Sequence, residues 1–135
     1  MKIIVYGDPK AQKRPRFSRR GKFVSTYDPS KSEKDGFICQ AIANRPDRPS
    51  ENPLSVTCRL YFPILKSISK VKRASMMTDR HPVTVRPDLD NLEKFVLDSL
   101  TGIYFKDDSQ IFALSSSKYY SQTPRTEIEI DDARF

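Results

Sequence analysis

Hydrophobic and polar positions alternate most regularly between Leu54 and Phe62, where Leu54, Val56, Cys58, Leu60 and Phe62 are spaced by Ser55, Thr57, Arg59 and Tyr61. A period of two puts alternate side chains on opposite faces of an extended chain, so this run predicts a half-buried strand. The run Lys2 to Tyr6 is rich in β-branched residues and closes at Gly7-Asp8-Pro9, which predicts a first strand ended by a turn. Two more strands are predicted, from Gln110 to about Tyr119 and from Arg125 to Ile130, the second with Ile128 and Ile130 set against Glu127 and Glu129.

Helical signals fall between these runs. Asp28 as N-cap and Pro29 at the first helical position predict a helix reaching about Asn44 and burying Phe37, Ile38, Ala41 and Ile42, although Gly36 weakens it. Arg45 to Pro53 reads as a surface connection. A second helix opens at Asp90, with Glu93 three residues on as capping-box partner, and carries Leu92, Phe95, Val96 and Leu100 on its apolar side until Gly102. From Pro63 to Pro87 the periodicity fades, and a long, weakly ordered loop is predicted. The 135-residue chain is long enough for one core and too short for two, so residues 1–135 are read as a single domain.

Composition adds a direction. With 37% hydrophobic and 30% charged residues, nothing suggests disorder, and no apolar run approaches the roughly 20 residues that cross a bilayer. The N-terminus has no signal-peptide order, and a cytoplasmic location is expected. A net charge of +7 points to a polyanionic partner, nucleic acid first and an acidic membrane surface second. Seven of the cations, Lys10, Lys13, Arg14, Arg16, Arg19, Arg20 and Lys22, lie in one stretch without an acid, beside Phe17 and Phe23, as a basic hairpin or loop turning at Gly21. That pattern suits phosphate tracking with base stacking, the alternative being a solvated surface. The Pro63–Pro87 loop adds Lys66, Lys70, Lys72, Arg73, Arg80 and Arg86 against Asp79 alone.

The chemistry available is mostly carboxylate. Cys39, Cys58 and His81 are isolated from one another, which excludes a zinc-ligand spacing, and both cysteines are read as reduced core residues. Asp88 and Asp90 are two apart, so in an extended segment both would leave the same face, where a cation could sit between them. Hard oxygen ligands select Mg²⁺ or Mn²⁺. A third carboxylate is available in the turn Lys106-Asp107-Asp108-Ser109, and Lys94 lies one helical turn after Asp90. Phosphodiester hydrolysis uses such parts: a metal to activate water and a lysine to offset transition-state charge. The plain alternatives are that the aspartates are caps and turn residues and that Lys94 pairs with Asp90 or Asp98.

The segments Arg86-Pro87-Asp88-Leu89-Asp90-Asn91-Leu92-Glu93-Lys94, Asp98 and Phe105-Lys106-Asp107-Asp108-Ser109-Gln110-Ile111 together resemble the RusA family of Holliday junction resolvases, as does the basic opening Lys10 to Phe17. The resemblance implies an α+β fold, a mixed β-sheet with helices packed against it. It also implies an Mg²⁺ site made of Asp88, Asp90 and Asp108, with Lys94 in catalysis and Mn²⁺ able to substitute. DNA contacts are expected from Lys10, Lys13, Arg14, Arg16, Arg19, Arg20, Lys22, Lys72, Arg73 and Arg86. A four-way junction needs two symmetric nicks, so a homodimer acting on branched DNA in recombination, repair or phage DNA processing follows. The rivals are a less selective nuclease with the same chemistry and a catalytically silent nucleic-acid-binding module.

Overall fold

The computed structural model describes residues 1–14 and 16–133, apart from the side chains of residues 16–18, 20, 23 and 25. In chain order the elements are β1 (Lys2–Tyr6), β2 (Arg16–Arg20), β3 (Phe23–Tyr27), α1 (Lys31–Ala41), β4 (Leu54–Pro63), α2 (Lys70–Met76), α3 (Leu89–Leu100), β5 (Ile111–Ser121) and β6 (Arg125–Asp132). Strands β1, β6, β4 and β5 form one sheet in that order, and β2 pairs with β3 in a separate hairpin that turns at Gly21, where φ is +60°. β4 and β5 run parallel, and the connection between them contains α3; the other pairings in the sheet are antiparallel. The fold is α+β with a mixed sheet, as expected.

Register explains where the core sits. Ile3 and Val5 face the same side as their partners Ile128 and Thr126, and Val56, Cys58 and Leu60 continue that side across β4. Phe37 and Ala41 of α1 and Leu92, Phe95, Val96 and Leu100 of α3 close over it, with Phe37 and Phe95 edge to face at 5.6 Å between ring centres. Burying the Phe, Leu and Val side chains among these contributes about 1.5–3 kcal/mol apiece relative to leaving them in water. On the opposite side of the sheet the alternate residues of β6 are not simply solvated. Glu127 is buried between Arg125 at 2.8 Å and Lys2 at 3.3 Å, Glu129 pairs with Arg59 at 3.3 Å, and the Arg125 guanidinium lies 4.0 Å from the centre of the Tyr61 ring.

Several sequence expectations need correction. The first helix starts after Ser30, because the Asp28 carboxylate turns forward to accept the Ser30 N–H at 2.9 Å and the Gln12 amide at 3.0 Å. A short 3₁₀ turn, Ile42–Asn44, replaces its last residues, and Ile38 and Ile42 are only half-buried. The presumed loop Pro63–Pro87 contains α2, whose N-cap Ser69 accepts the Lys72 N–H at 3.2 Å. Asp88, not Asp90, is the N-cap of α3. Cys39 is exposed rather than in the core, whereas Cys58 is buried. Burial first, and the nearby Glu93 carboxylate second, push the Cys58 thiol up to about 12, which keeps it protonated and unreactive at neutral pH.

Candidate active site

The approach to α3 is held against β5. Pro82 bridges to Tyr119, the Tyr120 N–H donates to the His81 carbonyl at 3.0 Å, and the Val83 N–H donates to the Lys118 carbonyl at 3.0 Å. Beyond that point the Lys118 ammonium donates to the carbonyls of Val85 and Pro87, both at 2.9 Å. The chain then enters α3 through Asp88, which is extended (φ −74°, ψ 151°) and accepts the Leu92 N–H on its own carbonyl at 3.2 Å.

The Asp88 carboxylate makes no capping bond, so it is free for another partner. Asp90 lies in the first helical turn, exposed, with one oxygen accepting the Asn91 N–H at 2.9 Å. It is already helical, so it does not share one extended face with Asp88, and the expected capping box with Glu93 is not formed. The positive end of the helix dipole favours negative charge at both aspartates. Lys94 is exposed one turn further on and has no ion pair among the described residues.

Asp108 stands at the other end of the helix. The turn Asp108–Gln110 is capped by Asp107, whose N–H donates to Gln110 Oε1 at 2.8 Å and whose carboxylate accepts the Ser109 hydroxyl at 2.8 Å. Asp107 is therefore engaged in building the turn, and the Ser109 hydroxyl holds its carboxyl below the usual range. The hydrogen bond to Asp107, then burial and repulsion from Asp107 and Asp98, raise the Asp108 carboxyl above that range. Asp98, in turn, lies 3.6 Å from the Lys34 ammonium, which is 2.7 Å from Asp28.

The three aspartates thus divide between two places. From Asp90 to Asp98 the helix advances about 12 Å, and the seven residues from Ile111 to Lys118 cover about 23 Å of strand. A divalent ion binds oxygens at about 2.0–2.6 Å. Among the described residues no three His, Cys, Asp or Glu side chains are placed to hold one ion. Asp88 and Asp90 share one end of α3 and Asp98 and Asp108 the other, with Lys94 midway, one turn from both Asp90 and Asp98.

The cations are distributed unequally. The basic opening segment is docked beside the first turn of α3, since the Gln12 N–H donates to the Asn91 carbonyl and the Lys13 N–H to the Ser30 hydroxyl, both at 2.9 Å. Lys13 and Lys10 approach Glu33 at 2.9 and 3.9 Å. Arg14, Arg19, Lys22, Lys72 and Arg86 are exposed, while Arg73 staples its own loop by donating to the Leu65 and Lys66 carbonyls. The side chains of Arg16, Phe17, Arg20 and Phe23 lie outside the described ones.

The model of the family Endodeoxyribonuclease RusA matches residues 6–131, nearly the whole chain. The chain belongs to the RusA family. Within reach of this RusA-family chain is the Crossover junction endodeoxyribonuclease rusA of Lactococcus phage r1t, 32% identical over 109 residues, covering 78% of this chain and 76% of that protein. The Uncharacterized protein YqaN of Bacillus subtilis (strain 168) is 39% identical over 134 residues, 96% of this chain and 94% of the relative.

Two features of this RusA-family site were not read from the sequence. Lys118 falls inside the strand predicted from Gln110 to about Tyr119, and nothing local sets it apart from its neighbours. Lys34, which joins Asp28 to Asp98 across α1 and α3, gave no signal of that bridge, because Asp98 is distant in the chain even though Asp28 is only six residues away. No helix is long and apolar enough to cross a membrane among the described residues.

Proposed function

We propose that this RusA-family protein is an Mg²⁺-dependent, structure-selective endodeoxyribonuclease that resolves Holliday junctions by paired symmetric nicks, acting as a homodimer in the cytoplasm of a bacterium or phage-infected cell. The supporting observation is the N-terminal end of α3: two exposed carboxylates, one unspent on capping, with a free lysine a turn away, in a chain of net charge +7. Asp88 and Asp90 are hard oxygen donors of the type that suits Mg²⁺, with Mn²⁺ able to replace it, and Asp108 would complete the set. A bound divalent ion supplies positive charge to the scissile phosphate and acidity to a water molecule. Lys94 stabilises the charge that develops on the phosphate, while Arg14, Arg86, Lys72 and the β2–β3 hairpin hold the backbone.

The separation of Asp108 from Asp88 and Asp90 supports the dimer. Two identical chains related by a two-fold axis can each lend Asp108 to the other's Asp88 and Asp90, which also sets two sites across a two-fold junction. Among the described residues the outer edge of β5 has no strand partner from Ile111 to Ser117, and it carries Phe112 65% exposed and Leu114 39% exposed. An unpaired edge with apolar side chains is suited to antiparallel pairing with its own copy, which runs the start of one β5 toward the end of the other.

The test is cleavage of a labelled four-way junction, a flap and a linear duplex, with Mg²⁺ or with a chelator. Junction-selective, Mg²⁺-dependent nicking by the wild type, lost in Asp90→Asn with junction binding retained, is the expected result. Equal cutting of linear duplex would make it a less selective nuclease, and undiminished cutting by Asp90→Asn would remove the assigned site.

A further inference from the structure

We propose that Lys118 is a positioning residue for phosphodiester cleavage, holding the segment that delivers Asp88. The proposal rests on the assignment of Asp88 to the reaction made above. Lys118 pairs in register with Leu60 and therefore extends its stem over the core face of the sheet, toward α3. It holds the incoming chain at three points: its carbonyl accepts the Val83 N–H at 3.0 Å, and its ammonium donates to the Val85 and Pro87 carbonyls at 2.9 Å. No other side chain among the described residues is hydrogen-bonded to residues 84–87 in this way.

The partners are informative. A half-buried ammonium usually faces a carboxylate, yet among the described residues Lys118 has no ion pair, and its two partners are neutral carbonyls. Its charge remains unneutralised one residue before Asp88. The main-chain bond from Leu92 fixes Asp88 on its helix side, so Lys118 supplies the constraint on the other side. A side chain that orients a metal-binding or reacting carboxylate through its backbone affects metal affinity and rate much as outer-shell partners do, by about 10–100-fold.

The experiment compares wild type, Lys118→Met, which keeps the stem and removes the donors, and Lys118→Arg, which keeps donors. Three quantities are read: Mn²⁺ binding by titration calorimetry on the full-length protein without DNA, the Mg²⁺ dependence of single-turnover junction nicking, and junction affinity. Lys118→Met is expected to weaken Mn²⁺ binding and slow nicking by about 10–100-fold, with junction affinity within about twofold, and Lys118→Arg to recover part of both. Wild-type Mn²⁺ affinity and nicking in Lys118→Met would overturn the proposal. Should Lys118→Met fail to fold, a folded Lys118→Arg with wild-type melting but wild-type Mg²⁺ dependence at reduced rate would overturn it too, and a raised Mg²⁺ requirement would support it. A wild-type protein that cuts no junction at any Mg²⁺ concentration would instead overturn the assignment of function.

Discussion

Two single substitutions, Asp90→Asn and Asp108→Asn, remove carboxylates from opposite ends of α3, and mixing the two variants tests whether one site is built from two chains. Oxygens bound to one divalent ion lie within about 4–5 Å of each other, twice the metal–oxygen distance. Asp90 to Asp98 already spans about 12 Å along the helix, and Asp108 lies beyond, beside Asp98. Bringing Asp108 to Asp90 within one chain would require pulling the turn around it away from Ser50 and Asn52, which Lys106 and Gln110 hold, or unwinding α3, whose Leu92, Phe95, Val96 and Leu100 are all buried. In a two-fold dimer with shared sites, equal mixing and free exchange give about half mixed dimers, each with one intact and one doubly substituted site. About a quarter of all sites are then wild type, so nicking of a labelled junction should return to about a quarter of the wild-type rate. Paired nicks, which need two intact sites in one dimer, should stay absent. Denaturing gels report the nicks and native gels the paired products, while native mass spectrometry verifies exchange. If dimers exchange and nicking stays at zero, both aspartates act from the same chain and the shared site is wrong. Full activity of Asp108→Asn alone would exclude it from the chemistry.

The same dimer predicts that Phe112→Lys yields a monomer by sedimentation velocity and loses paired nicking. Its side chain is mostly exposed within one chain, so any fall in melting temperature should come from lost dimerisation and grow with protein concentration; a dimer that survives places the interface elsewhere. Asp28 is held below its usual carboxylate range, first by the Lys34 ammonium and then by the Ser30 N–H. A depressed folded-state pKa stabilises above the unfolded value and loses that contribution as pH falls through the folded value. Asp28→Asn should therefore cost under about 1 kcal/mol at neutral pH, and its melting point should converge on the wild type near pH 2. An equal deficit at both pH values would mean that hydrogen-bond geometry, not ionisation, carries the effect.

Local pattern determined much of this molecule. Alternation in Leu54–Phe62 and in Ile128–Ile130 identified strands because a two-residue period marks a sheet with one buried face, and the spacing of Leu92, Phe95, Val96 and Leu100 identified α3. The residue types around Asp88, Asp90, Lys94 and Asp108 were likewise sufficient to suggest phosphodiester hydrolysis, and the family assignment agrees with the nuclease part of that reading. Helix starts were misplaced by one or two residues at Asp28 and Asp90, because competing turn bonds to Ser30 and Leu92 decide which residue caps. Helix α2 was missed, since its Lys70–Met76 run has little apolar periodicity and its core contacts, through Met76, Val83 and Tyr120, come from distant segments.

Tertiary structure alone decided how those residues are shared out. The length of α3 and the parallel course of β4 and β5 put Asp108 and Asp88 at opposite ends of one layer, a separation that chain spacing conceals because twenty residues can either fold back or extend. It also turned Lys118, one strand residue among many, into the clamp on the segment before Asp88. Charges, spacing and local propensity are written along the chain; which ends meet depends on register, crossover and edge, and those are set only when the sheet closes on its helices.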